Sequence, residues 1–482
     1  MASREARKPR ILIAGGGVAG LVLALAAKRR GFEVRVFEKD LSAVRGEGQY
    51  RGPIILHGNA LAVLAAIDPD VARQVLAAAC VTGDRLNGLA DGITGDWFIK
   101  IDLLTPARKK GLPLTRSICR MTLQDILLKA IGSDTVYNRS KVVDFREHQN
   151  KVTVILGDGR EYEGDVLVGA DGIWSKVRAK LFGWQDAQYS NYTCYSGSVD
   201  YVPSYISTVG YRVFVGFNQY FVACDIGCGK MQWYGFHKEP PGSKRKRLLE
   251  LYEGWCSEVV ALISRTSESM ILRRDLYDRD MIYTWGRGRI TLVGDAAHAM
   301  QPALGQSGCM AIEDCYQLVL ELEKAYVKCD CHDKHADEIA LAIARYERKR
   351  ILRVGIVHAV TRMAARMSST YRPYLDFGPG CLSFLTNLRI PNPAIYGAQF
   401  VVGHIIMPIV MTWMLNGHGF DRQSILLRST KWARSHGVPA SHANPIHVKL
   451  ARSSHHTIVF ALHGLGWTQP RPAGAAHTRG GC

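Results

Sequence analysis

The stretch 10–40 constrains the fold more than any other part of the chain. A short apolar run is followed by three glycines with the spacing G-x-G-x-x-G: Gly15, Gly17 and Gly20. An alanine- and leucine-rich segment then leads to a second apolar run, Phe32 to Phe37, which ends at the acidic Glu38. This order of strand, glycine turn, helix, strand and acid is typical of a βαβ unit that binds a dinucleotide.

Each residue type in this pattern has a physical task. Gly15 permits a tight turn, Gly17 lets the backbone approach a pyrophosphate, and Gly20 lets the helix pack closely against the sheet. The pyrophosphate then faces the free N–H groups and the positive dipole end of the helix. Glu38 is placed to accept hydrogen bonds from ribose hydroxyls, and its charge would repel a 2′-phosphate. The pattern predicts a nucleotide site without separating FAD from NAD.

Two further motifs place Asp and Gly at the ends of apolar runs. The first is DVLVGADG, in which Asp171 follows the run, and the second is GDAAHAMQP, which contains Asp295. Asp295 is placed to bond the ribityl chain of a flavin. Gly305 and Gly308 would bring N–H groups of a helix start toward the flavin pyrimidine, where the positive helix end stabilises charge on the reduced ring. Together with the first unit, these motifs favour FAD.

Composition restricts the classes of partner. The chain has 482 residues, of which 47% are apolar, and a formal net charge of +18. The basic residues are scattered and no nucleic-acid recognition module is visible, so no nucleic-acid partner is expected. An anionic membrane surface suits the charge at least as well, and a solvated basic surface without a partner is the alternative. Twelve cysteines without a CxxC pair do not indicate a disulfide framework. One group resembles metal ligands but lies in a charged linker, so no metal is expected: Cys329, Cys331, His332 and His335.

The order of apolar runs and turns predicts an α/β (α+β) fold with a Rossmann-like FAD-binding domain on a parallel sheet, a smaller mixed β-sheet substrate domain and C-terminal helices. The expected segments are 1–80, 111–190 and 286–335 for the FAD-binding domain, and 81–110 and 191–285 for the substrate domain. Helices with an apolar membrane-associating segment are expected over 336–420, and a largely disordered basic tail over 421–482. Individual helices are predicted at 59–79, 120–131, 245–265, 308–328 and 337–367.

The three motifs together resemble the single-component flavoprotein monooxygenases of the aromatic hydroxylase type. Longer segments are similar to the plant zeaxanthin epoxidases, and the similarity covers about Arg10 to Gly417. These segments are FEKDLSAVRGEGQYRGPI, DVLVGADGIWSKVR, YRVFVGFNQYF, KMQWYGFH, ILRRDLYDR and TWGRGRITLVGDAAHAMQPALGQSGCMAIEDCYQL.

The resemblance implies FAD, O2 and electrons from NADPH through reduced ferredoxin. It implies epoxidation of the β-rings of zeaxanthin to antheraxanthin and violaxanthin, through a flavin C4a-hydroperoxide. Carried over by position, Gly15, Gly17, Gly20 and Glu38 would hold the adenosine diphosphate. Arg51 and Arg120 would reach the phosphates or the flavin, and Asp171 and Asp295 the diphosphate and ribityl regions.

An isolated alkene needs no base to activate it, so we expect no catalytic side chain. The protein has to hold the ring near the flavin and exclude water. The aromatic stretches Tyr211 to Phe221 and Met231 to Phe236 are the candidates for the pocket wall; an ordinary sheet core is the alternative. For His298 a structural role is expected rather than a catalytic one.

The chain departs from the resembled family in three places. Ser307 gives GQSG where the family usually has GQGG, and a positive φ there would cost a serine about 1–2 kcal/mol. The short basic N-terminus, MASREARKPR, has no apolar region and is not expected to be a transit peptide. A C-terminal forkhead-associated domain is also not expected. By resemblance, the protein would work in the chloroplast, peripherally on the thylakoid membrane.

The segment Ala394 to Leu415 carries no charged residue and is long enough for a membrane-spanning helix. Gln399, His404 and Pro408 argue against a simple span. We expect the segment to dip an apolar face into one leaflet near the pocket mouth, with a core helix and a true span as alternatives. Two other functions stay open: hydroxylation of a smaller aromatic substrate, and non-catalytic binding of a prenyl lipid.

Overall fold

The structure, a computed structural model, describes residues 9–42, 52–237, 244–267, 270–328, 335–378 and 383–417. Three subjects of the sequence predictions lie outside these residues: Arg51, the side chains of the Cys329–His335 cluster, and the tail 421–482.

The strands, numbered β1 to β19 in chain order, are Arg10–Ala14, Glu33–Phe37, Ile54–Leu56, Cys80–Val81, Leu86–Asp91, Trp97–Ile101, Arg116–Ile118, Val136–Tyr137, Val142–Glu147, Val152–Leu156, Glu161–Gly164, Val166–Gly169, Gln188–Val199, Val209–Gly216, Gln219–Asp225, Met231–His237, Leu272–Asp278, Gly286–Arg287 and Ile290–Leu292. The helices, numbered α1 to α13, are Val18–Arg29, Gly58–Ile67, Pro69–Ala78, Leu104–Lys109, Arg120–Ile131, Lys176–Phe182, Lys244–Leu251, Ser257–Arg265, Asp295–His298, Ser307–Lys328, His335–Ser369, Pro393–Val401 and Met407–Leu415. A π-helical segment, Val402–Ile406, joins α12 to α13.

A six-stranded sheet has the order β18-β19-β12-β1-β2-β8. Its strands β19, β12, β1, β2 and β8 run parallel, and β18 is antiparallel to β19. Ile11, Leu12 and Ile13 are all fully buried because both faces of the sheet are covered. Ile13 faces Gly20 of α1, and Leu12 faces Gly164 of the three-stranded antiparallel sheet β11-β10-β9. The carboxyl ends of β1, β2, β12 and β19 therefore meet at one edge, where the glycine loop and both Gly-Asp turns follow them.

A seven-stranded sheet has the order β17-β13-β16-β15-β14-β5-β6 and is antiparallel except between β14 and β5. Successive side chains alternate between its two faces. On one face, Phe214, Phe221 and Trp233 are buried in a core shared with α8. On the other face, Val213 and Val222 are directly opposite each other and line a cavity. The predicted pocket-wall stretches thus contribute to both a cavity wall and an ordinary core.

These sheets confirm the predicted α/β fold class, but two predicted helices are wrong in extent. The helix predicted at 59–79 is two helices, because Asp68 is extended and its carboxylate accepts the N–H groups of Asp70 and Val71 to begin a second helix. The helix predicted at 245–265 is also two helices, separated by a turn in which Gly254 has a φ of 75°.

Candidate cofactor and substrate site

The glycine loop lies where β1 passes into α1. Gly15 has a φ of 106°, and a Cβ there would lie 2.4 Å from the carbonyl oxygen of Ala170. A Cβ on Gly20 would lie 2.0 Å from the carbonyl oxygen of Gly15, so neither position accepts a side chain. Gly17 precedes α1 without a capping side chain, and a Cβ there would meet nothing within 4 Å. The loop thus leaves open space at the positive end of α1.

Glu38 follows β2 beside this loop and is buried. Its Oε2 accepts the N–H of Gly16 at 2.6 Å, and its Oε1 accepts the N–H of Asp40 at 2.9 Å. These bonds fix the carboxylate at the end of β2, the position expected for a group that contacts a ribose.

The two aspartates of the later motifs differ in environment. The Asp171 Oδ2 accepts the N–H of Lys176 at 2.7 Å, whereas its Oδ1 is buried without a hydrogen-bond partner in the described structure. Burial raises the pKa of Asp171. Asp295 is exposed, lines a cavity of about 450 Å³ and accepts the hydroxyl of Ser307 at 2.6 Å.

Ser307 is the first residue of α10 and is not among the described residues with a positive φ. The strain considered for the GQSG sequence therefore does not arise. The hydroxyl instead orients the Asp295 carboxylate, which a glycine cannot do.

We call the cavity beside Asp295 the cofactor cavity. It is lined by the glycine loop, both Gly-Asp turns, the start of α10 and part of the seven-stranded sheet, including Gly17, Arg120, Gly172, Asp295, Gly305 and Gly308. Arg120 begins α5, and its buried Nε has no partner among the described residues. The open start of α1, the unsatisfied guanidinium nitrogen of Arg120 and the exposed carboxylate of Asp295 fit a dinucleotide with a ribityl chain. The residues present therefore fit FAD.

Gly305 lies at the junction with a second cavity. It has a φ of 61° and ends the turn Pro302–Leu304. Below this turn, His57 is buried and its two ring nitrogens lie 3.2 Å from the Thr115 hydroxyl and 3.2 Å from the carbonyl oxygen of Leu304. Burial lowers the pKa of His57 to about 4, so the ring is neutral near pH 7. The neutral ring supports the turn that carries Gly305.

The second cavity, the apolar cavity, has a volume of about 340 Å³. It shares five lining residues with the cofactor cavity: Ile55, Val222, Phe236, Pro302 and Gly305. Its further walls come from the seven-stranded sheet, from Val360 to Thr370 in and just after α11, and from the segment Ile395 to Met411. The two cavities therefore meet at the Pro302–Gly305 turn.

The apolar segment Pro393–Leu415 is the one helix in the described residues that is long and apolar enough to cross a membrane. One face, including Val402, Ile406 and Val410, lines the apolar cavity. The opposite face is exposed, and its large apolar residues are Tyr396, Phe400, Val401, Ile405 and Ile409. The π-helical turn precedes Pro408, whose ring cannot donate the N–H that a regular α-helix needs there.

The C-terminal end of this segment is fixed inside the protein. Met414 and Leu415 are buried, and Arg353 donates from Nη2 to the Met414 carbonyl oxygen at 2.7 Å. Lys110 also donates to the Asn416 side chain. The segment thus ends in the core rather than in an open surface.

A buried ionic network lies behind the cofactor cavity. His298 Nε2 lies 2.5 Å from Asp314 Oδ2, and His298 lines neither of the two cavities. Arg350 donates to Asp314 at 2.8 Å and to Glu313 at 2.6 Å. Arg353 also donates to Glu313, at 2.7 Å. This geometry is that of a structural network.

The sequence reasoning missed this network and the apolar-cavity polar residues. Glu313 and Asp314 stand in an otherwise apolar stretch of α10, which is a usable signal for buried acids that need partners. Their partners Arg350 and Arg353 lie on α11, in no recognisable spacing to α10. Of the predicted cofactor residues, six line the cofactor cavity or belong to its glycine loop: Gly15, Gly17, Gly20, Arg120, Asp295 and Gly305. Asp171 lies between two residues that line the cavity, Ala170 and Gly172. Glu38 lies against the loop through Gly16.

Comparisons with known proteins agree with this geometry. A family model described as FAD binding domain matches residues 8–207 and 264–349. The chain is 60% identical over 418 residues to a chloroplastic zeaxanthin epoxidase of Oryza sativa subsp. japonica, covering 86% of this chain and 63% of that protein. A zeaxanthin epoxidase of Spinacia oleracea is 57% identical over 86% of this chain and 62% of its own length. The chain thus spans less than two thirds of these relatives.

Solved structures share the fold. Klebsiella pneumoniae HpxO, complexed with FAD and uric acid, has a TM-score of 0.69 at 22% identity, covering 84% of this chain and 96% of HpxO. A salicylate hydroxylase substrate complex has a TM-score of 0.63 at 19% identity, covering 86% of this chain and 99% of that chain. The family match spans both Gly-Asp turns and the glycine loop, which the fold brings to one cavity. The chain therefore belongs to the FAD-binding domain family, and FAD is its cofactor.

Proposed function

We propose that this chain is an FAD-dependent monooxygenase that epoxidises the β-rings of zeaxanthin, giving antheraxanthin and then violaxanthin. The observation that carries the proposal is the apolar cavity that meets the cofactor cavity at the Pro302–Gly305 turn. A hydrocarbon ring held there would lie beside the bound flavin. The similarity to zeaxanthin epoxidases over 86% of the chain supports the same substrate.

The reaction joins one atom of O2 to the ring alkene and releases the other as water, using two electrons and two protons. Bound FAD supplies the reduction of O2 and the transfer of oxygen. The chain's own residues bind and orient: Gly17, Arg120 and Asp295 would hold the cofactor, and the apolar walls would position the ring and exclude water. No general base is required of the protein for this substrate.

The electron supply and the compartment belong to the same proposal. We expect electrons from NADPH through reduced ferredoxin, because the relatives with this sequence pattern are named chloroplastic. On this proposal the protein works in the chloroplast, at the thylakoid membrane.

Membrane attachment would be peripheral. The exposed apolar face of Pro393–Leu415 suits the acyl region of one leaflet, while its other face lines the apolar cavity. The anchoring of Met414 and Asn416 opposes a span, since crossing the bilayer would require the helix to leave its core contacts. A net charge of +18 favours an anionic surface. A carotenoid could then pass from lipid into the cavity without crossing water.

Two rival functions remain distinct. A hydroxylase of small aromatic acids needs a cation that binds the carboxylate of its substrate. Arg274 lines the cofactor cavity, but it is exposed to solvent and is therefore a poor candidate for this cation. A non-catalytic prenyl-lipid binder would use the apolar cavity without FAD. The unsatisfied Arg120 and Asp171 atoms favour retention of a polar cofactor.

The test is turnover by the purified chain, loaded with FAD, in liposomes that contain zeaxanthin, with NADPH, ferredoxin and its reductase. We expect antheraxanthin and violaxanthin, with one atom of isotopically labelled O2 in each new epoxide. A flavin-loaded protein that leaves zeaxanthin unchanged but hydroxylates an aromatic acid would favour the first rival. A protein that binds carotenoid and takes up no flavin would favour the second.

A further inference from the structure

The polar groups of the apolar cavity are few, and most are already bonded. The hydroxyls of Ser368 and Thr370 donate to backbone carbonyls of α11, and both ring nitrogens of His57 have partners. Tyr371 forms a side-chain hydrogen bond with Asp91. In contrast, Tyr211 and Tyr220 line the cavity, and neither hydroxyl has a hydrogen-bond partner among the described residues.

The two tyrosines occupy different parts of the cavity. Val215, four residues after Tyr211 on β14, is opposite Tyr220 on β15, so the two tyrosines are separated by about 13 Å along the sheet. Tyr220 is stacked on Phe236 with ring centroids 4.2 Å apart, in a cluster with Tyr371. Tyr211 is only half-buried and is directly opposite Cys224, which lines the cofactor cavity, whereas Tyr220 is 3% exposed. Tyr211 is therefore the unpartnered phenol that is more accessible to a ligand.

We propose that Tyr211 is the specificity-determining residue that hydrogen-bonds the hydroxyl group of a hydroxylated cyclic alkene. This inference rests on the proposed function and names the substrate group that the cavity recognises, the ring hydroxyl. The ring hydroxyl of such a substrate is on the same six-membered ring as the reacting double bond. A residue that holds the hydroxyl therefore also fixes the position of the double bond relative to the cofactor.

The environment suits this role. Burial raises the pKa of Tyr211, so its phenol stays protonated and can both donate and accept. The Tyr211 hydroxyl lines a cavity whose other walls are mainly apolar. A hydroxylated ring bound there would satisfy it, whereas a plain hydrocarbon ring would exclude water and leave it unpaired. A site of this kind discriminates against the analogue that lacks the hydroxyl.

The experiment measures binding of two soluble ring fragments, β-ionone and its ring-hydroxylated form, to the FAD-loaded protein by equilibrium dialysis without a reductant. We expect the parent to prefer the hydroxylated form by about three- to tenfold, and Tyr211→Phe to bring the ratio to about one. Tyr195→Phe is the matched control, because Tyr195 is on β13 of the same sheet but is fully buried in the core of the opposite face. It should retain the parental ratio, and FAD binding should be equal in all three proteins.

An unchanged preference in Tyr211→Phe, or a preference lost in Tyr220→Phe instead, would overturn the assignment. The absence of any preference in the parent would do the same. Turnover of zeaxanthin by the parent separates this failure from failure of the proposed function: if zeaxanthin is epoxidised and the preference is independent of Tyr211, only the assignment is wrong.

Discussion

Asp295 is the single residue on which cofactor retention should depend most. Its carboxylate is exposed in the cofactor cavity and is oriented by the Ser307 hydroxyl at 2.6 Å. A hydrogen bond to a charged group contributes about 1.5–3 kcal/mol, which corresponds to at least a tenfold change in affinity. We expect Asp295→Ala to weaken FAD binding by that factor while the circular dichroism spectrum stays the same. Asp158→Ala, on an exposed hairpin turn, is the control. Parental FAD affinity in Asp295→Ala would refute the role.

His57 should make the stability depend on pH. The pKa of His57 in the folded protein is about 4, below the ordinary value of 6.5. Between these two pH values, the unfolded chain therefore binds a proton that the folded chain does not. The contribution of His57 to the free energy of unfolding is fully present above pH 6.5. It is lost as pH falls toward 4, by at most about 1.4 kcal/mol per pH unit. We expect His57→Gln to flatten this slope in urea unfolding between these pH values. An equal slope in both proteins would show that His57 is not buried as a neutral ring.

At the scale of elements, the buried ionic network connects α10 to α11 through Glu313, Asp314 and Arg350. Arg353 also connects α11 to the end of α13 through the Met414 carbonyl oxygen. Burial acts to raise the pKa of Glu313, but Arg350 and Arg353 outweigh it and hold the pKa below its ordinary value. Removing one partner of a buried pair leaves the other charge uncompensated, at a cost of about 3–5 kcal/mol. We expect Glu313→Gln to lower the free energy of unfolding by an amount in this range.

Denaturant unfolding with and without FAD measures this effect. The matched control is Glu161→Gln on β11, whose carboxylate pairs with Arg146 on β9. Both side chains are about half exposed, so this pair should contribute less than about 1 kcal/mol. If both substitutions had equally small effects, the network would not be an essential connection between these helices.

At the scale of the whole molecule, the exposed face of Pro393–Leu415 should decide membrane binding. Phe400 and Ile409 are 61% and 65% exposed. We expect Phe400→Ser with Ile409→Ser to reduce flotation with anionic liposomes strongly, because the apolar area that enters the leaflet is lost. Leu352→Ser with Tyr283→Ser is the control, since both residues are also largely exposed but outside this segment.

The same experiment distinguishes surface attachment from a span. Binding that is released by carbonate and weakened by salt is expected for attachment to one leaflet. Flotation that resists both treatments would instead indicate a span, and equal flotation of the two variant pairs would remove this segment as the membrane contact.

The sequence by itself determined the fold class and most of the candidate cofactor residues. The glycine spacing, the acid after β2 and the two Gly-Asp turns are local patterns, and parallel strands bring their carboxyl ends to one edge of a sheet. Gly15, Gly17, Glu38, Asp171 and Asp295 could therefore be predicted without tertiary coordinates. The βαβ periodicity was also sufficient to predict the parallel sheet.

The tertiary structure decided which residues share a cavity across long separations in sequence. The alternation of β14 and β15 predicted two faces but not which face meets a cavity, so Tyr211 and Phe214 could not be assigned from sequence. His57 lies below the Leu304 turn, and Arg353 reaches the end of α13, only because the chain returns to the same core. Such contacts depend on packing between distant segments, which local periodicity does not encode. The sequence thus determined the local motifs that make up the candidate cofactor site, namely the glycine loop, the acid after β2 and the two Gly-Asp turns. The tertiary structure decided the shape and polarity of the apolar cavity beside them.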